Sequence, residues 1–93
     1  MERTILKEAE LLEALRELPD WQAEGSELVR EYKLADFAAA LAFVNKVGEL
    51  AEAADHHPDI EFGWGYAKIR LTTHDRGGIT DVDISLAKKI AGL

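Results

Sequence analysis

The chain has 93 residues, 47% of them hydrophobic and 31% charged, which is typical of one globular domain over 1–93 rather than a disordered segment. Its formal charge is -7, and its largest basic cluster is the pair Lys88-Lys89, so direct nucleic-acid binding is disfavoured. Cysteine is absent, which excludes disulfides, thiolate metal sites and cysteine nucleophiles.

Hydrophobic segments are short. The longest apolar run, 37–44, is far below the roughly 20 residues that span a bilayer, so no membrane association is expected. Residues 1–4 lack the apolar core of a secretory signal, which predicts a cytoplasmic protein. Because a chain this short is only marginally stable alone, we expect a homo-oligomer.

The first predicted elements are a helix and two strands. Three leucines at helical spacing indicate a helix over about 4–18, which Pro19 stops: Leu11, Leu15 and Leu18. A short strand over 21–24 then turns at Gly25-Ser26 into a second strand over 27–34. Alternation places four of its side chains on one face: Leu28, Arg30, Tyr32 and Leu34.

A long helix follows. Asp36 is a plausible N-cap, and the apolar periodicity continues to about Asp55. The helix must end before Pro58, because the residue preceding a proline disfavours helical geometry. We expect five aromatic side chains of this region and the neighbouring strands to be core: Tyr32, Phe37, Phe43, Phe62 and Trp64.

The remaining chain predicts a hairpin and a last helix. Ile60, Phe62 and Trp64 alternate as a third strand, Gly65-Tyr66 supplies a turn, and 67–71 form a fourth strand. Gly77-Gly78 permits a further, left-handed turn. Thr80 and Asp83 then resemble a capping box, with Ile79 and Ile84 at the staple positions.

The predicted order is therefore α-β-β-α-β-β-α. Such an order favours the α+β class: a single domain with a four-stranded antiparallel sheet and helices packed on one face. Four short strands cannot close a barrel, which leaves an edge strand for a second subunit.

The three histidines are the candidate chemical groups. His56 and His57 stand in a turn stiffened by Pro58, and His74 follows the last strand. Histidine gives and takes protons at neutral pH, and element ends are where sites are commonly built. Glu52, four residues before His56, would share its face if the helix reached that far, and could orient the imidazole.

Two other chemistries are less favoured. A zinc site is possible with three histidines, but adjacent side chains in an extended turn point apart and no His-x-x-x-His pair is present. Nucleophilic catalysis is weaker still, since no cysteine exists and neither Ser26 nor Ser85 lies in a glycine-flanked elbow.

A set of residues stands at fixed spacing over essentially the whole chain. Its central residues are Glu52, His56-His57-Pro58, Trp64, His74 and Asp83, with Trp21 and Asp36-Phe37 upstream and Thr72-Thr73, Gly77-Gly78 and Ala87-x-x-Ile90 downstream. This set resembles the signature of the pterin-4a-carbinolamine dehydratases.

The resemblance implies a hydro-lyase that dehydrates a 4a-hydroxytetrahydropterin to the quinonoid dihydropterin without metal or cofactor. It implies dimers or tetramers, and a role in pterin recycling for an aromatic amino-acid hydroxylase pathway. His56, His57 and His74 carry over as catalytic residues. Five others carry over to the substrate site: Glu52, Pro58, Thr73, Asp75 and Arg76.

An alternative function exists on the same fold. Some members of this family act as dimerisation partners of a transcription factor, and degenerate members act in protein assembly. Degenerate members would be expected to lose histidines, whereas this chain retains all three and Glu52. The sequence therefore favours the enzyme over a non-catalytic interaction module.

Overall fold

The computed structural model describes residues 3–93, in the order α-β-β-α-β-β-α. The helices are α1 (Glu8–Arg16), α2 (Phe37–Ala54) and α3 (Asp81–Ala91). The strands are β1 (Gln22–Glu24), β2 (Glu27–Lys33), β3 (Asp59–Gly63) and β4 (Tyr66–Leu71). This arrangement confirms the predicted element order and the α+β class.

The four strands form one antiparallel sheet in the order β1-β2-β4-β3. Two hairpins thus lie side by side, joined by the β2–β4 pairing, and β1 and β3 are the edges. Asp59 at the start of β3 pairs with Arg70 near the end of β4. The chain therefore enters β3 and leaves β4 at the same end of the sheet.

The core lies between one face of the sheet and the helices. Leu28 and its partner Leu71 are fully buried on that face. The helices contribute the buried side chains Val47, Ala51, Leu86 and Ile90. This layer fixes how α2 and α3 sit over the sheet, because tightly packed interiors tolerate little displacement.

Helix α1 is shorter than the predicted span of about 4–18. Ile5 forms a bridge with Thr80, and the Leu6 N–H donates to the Ile79 carbonyl at 2.9 Å. The segment before Lys7 is therefore drawn out beside the start of α3, and the helix begins only at Glu8. Leucine spacing marked the helix but could not show this long-range pairing.

Two aromatic side chains predicted as core are exposed instead. Phe37, in the first turn of α2, is 47% exposed and stacks on Phe62 at 5.7 Å between ring centroids. Trp64 is 73% exposed, because β3 ends at Gly63 and Trp64-Gly65 form the hairpin turn, with Gly65 at φ +83°. Alternation predicted that the strand continues through Trp64, but no other described element packs against the side chain of this turn residue.

The predicted caps are confirmed. The Asp36 side chain accepts from the Ala39 N–H at 2.8 Å at the start of α2. Thr80 and Asp83 form the reciprocal capping box of α3. Among residues 3–93, no helix has both the length and the apolar character to cross a bilayer.

Candidate functional site

The three histidines line one cleft of about 190 Å³ at the end of the sheet. His56 and His57 follow the end of α2, and His74 follows β4. The residues that line the cleft are Arg3, Asp55, His56, His57, Thr72, His74 and Asp75. The two histidine-bearing stretches therefore meet in space.

The β3–β4 hairpin explains this meeting. Because the two strands are antiparallel, the chain just before Asp59 lies beside the chain just after Leu71. His74 then stands in a turn that is closed by a bridge between Thr73 and Gly78, with Gly77 in the left-handed region at φ +77°. The predicted left-handed turn is confirmed, and it reverses the direction of the chain beside the cleft.

Each imidazole has a carboxylate neighbour. His56 Nε2 lies 2.5 Å from an oxygen of Asp83, and His57 Nε2 is hydrogen-bonded to Glu52. His74 Nε2 lies 3.9 Å from a carboxylate oxygen of Asp59. The pairing of Glu52 with His56, which was expected if the helix reached His56, does not form: the helix ends at Ala54 and Glu52 faces His57.

The end of α2 decides this pairing. Asp55 adopts left-handed geometry at φ +49°, so the helix ends at Ala54 and the next residues leave its face. The His56 N–H still closes the helix by donating to the Ala51 carbonyl at 3.1 Å. The side chain of His56 consequently turns inward, while that of His57 lies over the last turn of α2.

The three environments differ in exposure. His56 is buried and its partner Asp83 is fully buried. The side chains of His57 and His74 are 57% and 71% exposed. Water screens the two outer pairs, so their carboxylates contribute little stability, whereas the inner pair is held in a dry environment.

Asp83 belongs to a buried polar network. One carboxylate oxygen faces His56, and the other accepts from the Thr80 N–H and the Thr73 hydroxyl, both at 2.9 Å. Since the Thr73 hydroxyl has one proton, the Thr80 hydroxyl donates to the Thr73 oxygen at 2.7 Å. The network links the end of α2, the turn after β4 and the start of α3.

The contact of Asp83 with His56 escaped the sequence reasoning, which treated Asp83 as a capping residue and as part of a signature. One signal was present: a capping carboxylate at the buried start of a helix has a second oxygen that needs a partner. That partner is 27 residues away in the chain, so local pattern could not identify it.

The predicted substrate-binding residues are distributed unevenly. Asp75 lines the cleft and is hydrogen-bonded to Arg3. Thr73 lies beneath the cleft in the buried network, and Glu52 contacts the cleft only through His57. Pro58 and Arg76 are not among the described lining residues. Further lining residues that the sequence reasoning did not single out are Arg3, Asp55 and Thr72.

A larger cleft of about 560 Å³ adjoins the first. The two share Arg3, Asp55 and His56, and the larger one continues along α3 to Lys89. His56 therefore stands on the wall between the two spaces. Within residues 3–93, no group of three or more His, Asp or Glu side chains is arranged to hold a metal ion, and metal independence stays a prediction.

The arrangement suits proton transfer on a small polar ligand. Two solvent-accessible imidazoles and one buried imidazole border the same space. Imidazole serves as general acid or base near neutral pH, and more than one group is needed when one atom gains a proton while another loses one.

Comparisons with known proteins identify one family. A family model described as Pterin 4 alpha carbinolamine dehydratase matches residues 4–93. A Chloroflexus aurantiacus protein provisionally named pterin-4-alpha-carbinolamine dehydratase is 52% identical over 85 residues, which cover 91% of each chain. A protein of the same provisional name from Thermomicrobium roseum is 49% identical over 88 residues, 95% of each chain.

Solved structures share the fold. A Brucella melitensis protein described as a transcriptional coactivator/pterin dehydratase is 34% identical, with a TM-score of 0.91, and the match covers 96% of this chain and 97% of that one. A pterin dehydratase-like protein, described as a RuBisCO assembly factor in the alpha-carboxysome, has a TM-score of 0.64 over 77% of this chain and 83% of its own. It is 22% identical, which shows likeness of fold alone.

Proposed function

We propose a function from the family: this chain belongs to the pterin 4 alpha carbinolamine dehydratase family. We infer that it dehydrates a 4a-hydroxytetrahydropterin to the quinonoid dihydropterin. The observation that carries the proposal is the convergence of His56, His57 and His74 on one small cleft. The reaction is a hydro-lyase step that needs proton transfer but no redox partner, and we propose that it uses neither metal nor cofactor.

The chemistry needs two protons to move. The bond between C4a and the hydroxyl oxygen breaks as an acid protonates the departing hydroxyl, which leaves as water. A base removes the proton of the adjacent ring nitrogen, whose electron pair forms the new double bond to C4a. The acid's proton thus leaves in the water, and the base keeps the proton of the ring nitrogen, so the two groups exchange protonation states over one turnover. Each group is typically worth about 10²–10⁴-fold in rate.

We assign His57 as the acid, His74 as the base or anchor, and His56 as the group that orients the ring. His57 has Nε2 on Glu52, which leaves Nδ1 as the nitrogen that can reach a substrate. His74 faces the same cleft from the opposite stretch of chain. His56 is the buried member, which suits a fixed hydrogen bond better than proton exchange with water.

The pocket walls follow from the same assignment. Asp75 borders the cleft directly, and Thr73 supports it from below. Glu52 acts through His57, whereas Pro58 and Arg76 would contribute by stiffening the two turns. The 190 Å³ cleft is smaller than the roughly 300–1,000 Å³ of many small-molecule sites, but it continues into the adjoining cleft past His56.

We further propose that the chain forms a homo-oligomer, a dimer or tetramer, in the cytoplasm and serves an aromatic amino-acid hydroxylase pathway. Two features support self-association. Strand β3 is an edge of the sheet, and the exposed large apolar side chains include Phe37, Leu41 and Trp64. Exposed apolar groups of this size commonly mark interaction surfaces.

A direct assay tests the function. Chemically generated 4a-hydroxytetrahydropterin is supplied, and quinonoid product is followed by absorbance with and without a chelator. We expect the wild type to accelerate dehydration equally in both cases, and His57→Ala to lower kcat at least 10²-fold. Because His57 is exposed, the free energy of unfolding of the variant should lie within about 0.5 kcal/mol of the wild-type value.

The matched control is Asn45→Ala, which alters an exposed residue of α2 outside the cleft and should retain full activity. If the wild-type protein formed product no faster than buffer alone, the proposed enzymatic function would be contradicted. That result would favour the interaction module, for which the exposed apolar side chains would be the docking surface. Loss of activity with the chelator would contradict metal independence.

A further inference from the structure

We propose that Asp83 is a positioning residue that holds His56 as the tautomer with its proton on Nε2, so that Nδ1 is an unprotonated hydrogen-bond acceptor for the ligand. The catalytic consequence rests on the proposed function. The tautomer itself is a property of the free protein and can be measured without any substrate.

The hydrogen-bond inventory around Asp83 carries the argument. The side chain is fully buried, so its oxygens have no bulk water to accept from. One oxygen is occupied by the Thr80 N–H, which can only donate, and by the Thr73 hydroxyl. The other lies 2.5 Å from His56 Nε2. A carboxylate accepts only, so His56 Nε2 must supply the proton.

The alternative tautomer would be costly. With the proton on Nδ1, the Nε2 lone pair would face a carboxylate oxygen at 2.5 Å, and two acceptors would be buried without a hydrogen between them. A buried acceptor left unsatisfied costs about 1–3 kcal/mol, and more when it is charged. The neutral imidazole of His56 is therefore held in one tautomer.

The frame around the pair is stiff. Thr80 caps α3, and Thr73 is locked by its bridge to Gly78. Thr73 directly precedes His74, so the same network that orients His56 also anchors the turn that carries His74. Asp83 thereby fixes the proton position on His56 and also anchors Thr73, where the turn that carries His74 begins.

An acceptor at this position has a clear use. A pterin ring presents N–H groups along its edge, and an unprotonated nitrogen of His56 could hold one of them. In serine proteases, exchanging the carboxylate that orients the catalytic imidazole for an amide lowers kcat by about 10⁴ because the tautomer is wrong. The same exchange is a sharp test here.

The decisive variant is Asp83→Asn. The Thr80 N–H and Thr73 hydroxyl will hold the amide oxygen, which places the amide NH₂ group against His56 Nε2. That group donates, so His56 must accept at Nε2 and carry its proton on Nδ1. The substitution therefore swaps the tautomer with almost no change of shape.

Imidazole nitrogen chemical shifts in a ¹⁵N-labelled full chain report the outcome. We expect wild-type His56 to show a protonated Nε2 and an unprotonated Nδ1, and Asp83→Asn to show the reverse. The matched control is Asp81→Asn, which removes an equal charge from the same first turn of α3 and should keep the wild-type tautomer. In the dehydration assay, we expect Asp83→Asn to lower kcat/KM at least 10²-fold.

Wild-type His56 with its single proton on Nδ1, or with both nitrogens protonated at neutral pH, would overturn the proposal, even if Asp83→Asn fails to fold. A tautomer that stays unchanged in a folded Asp83→Asn would also overturn it. If the wild type has the expected tautomer but dehydrates no pterin, the proposed function fails while the role of Asp83 in orienting His56 stands.

Discussion

At the scale of single residues, burial separates groups of the same chemical type. Asp83 and Glu52 each face an imidazole, but Asp83 is enclosed and has every oxygen occupied, whereas Glu52 is exposed. Enclosed networks orient their members strongly because no water competes. By the same rule, a buried polar group without a hydrogen-bond partner destabilises the fold, and the Tyr32 hydroxyl is such a group within the described residues.

The Tyr32 hydroxyl is buried and has no hydrogen-bond partner within the described residues. Burial raises the pKa of Tyr32 above its ordinary 10.0, with Arg30 opposing the shift and Asp20 adding to it. We expect Tyr32→Phe to be as stable as the wild type, or up to about 1 kcal/mol more stable at neutral pH, because no bond is lost.

The raised pKa also sets a pH dependence. Folding favours the neutral phenol, so this stability is complete below pH 10.0 and is lost as pH rises through the folded pKa. Tyrosinate absorbance and urea unfolding at neutral and alkaline pH check both effects. A clear loss of stability in Tyr32→Phe at neutral pH would show that the hydroxyl has a partner.

At the scale of elements, the start of α3 has two tasks. Thr80 caps the helix through its hydroxyl and also donates to Thr73 in the network that holds Asp83. A helix cap thus becomes part of the site. The predicted capping box found this helix start, but its second task depends on which elements pack against it.

We expect Thr80→Ala to lower the free energy of unfolding by about 1–2 kcal/mol, since both the cap and a buried hydrogen bond are lost. Thr80→Ser keeps the hydroxyl and should lose less than half as much. Urea denaturation of the two variants measures the difference. Equal stability of Thr80→Ala and the wild type would show that the capping hydroxyl contributes nothing.

At the scale of the whole molecule, the surface that bears Phe37 and Trp64 lies far from the cleft. Helix α2 has 18 residues and spans roughly 27 Å, with Phe37 at its start and the histidine turn after its end. Trp64 lies in the β3–β4 turn, at the end of the hairpin opposite the cleft. Self-association through this surface would leave the cleft accessible.

Trp64→Ser tests the surface. We expect the variant to dissociate at protein concentrations where the wild type is oligomeric, as measured by light scattering, because a large apolar contact is removed. Leu12→Ser, which alters an exposed apolar residue of α1, is the matched control and should keep the wild-type mass. A monomeric wild type, or an unchanged mass for Trp64→Ser, would contradict self-association through this surface.

Local patterns in the sequence determined the element order, the caps at Asp36 and Thr80, and the residues able to carry proton chemistry. They predicted the β3–β4 hairpin, and the structure shows that this hairpin brings His56 and His57 to His74, because an antiparallel pair returns the chain to where it started. Periodicity, turn residues and caps act over a few residues, so a single stretch of chain contains the information.

Only the tertiary structure decided which partner each group has. The left-handed Asp55 turned His56 toward Asp83 and left Glu52 to His57; the pairing of Ile5 and Leu6 with the chain before α3 shortened α1; and the absence of a covering layer left Trp64 in solvent. Each outcome depends on packing between segments distant in sequence, where many pairings are sterically allowed and the energies of the whole fold select one.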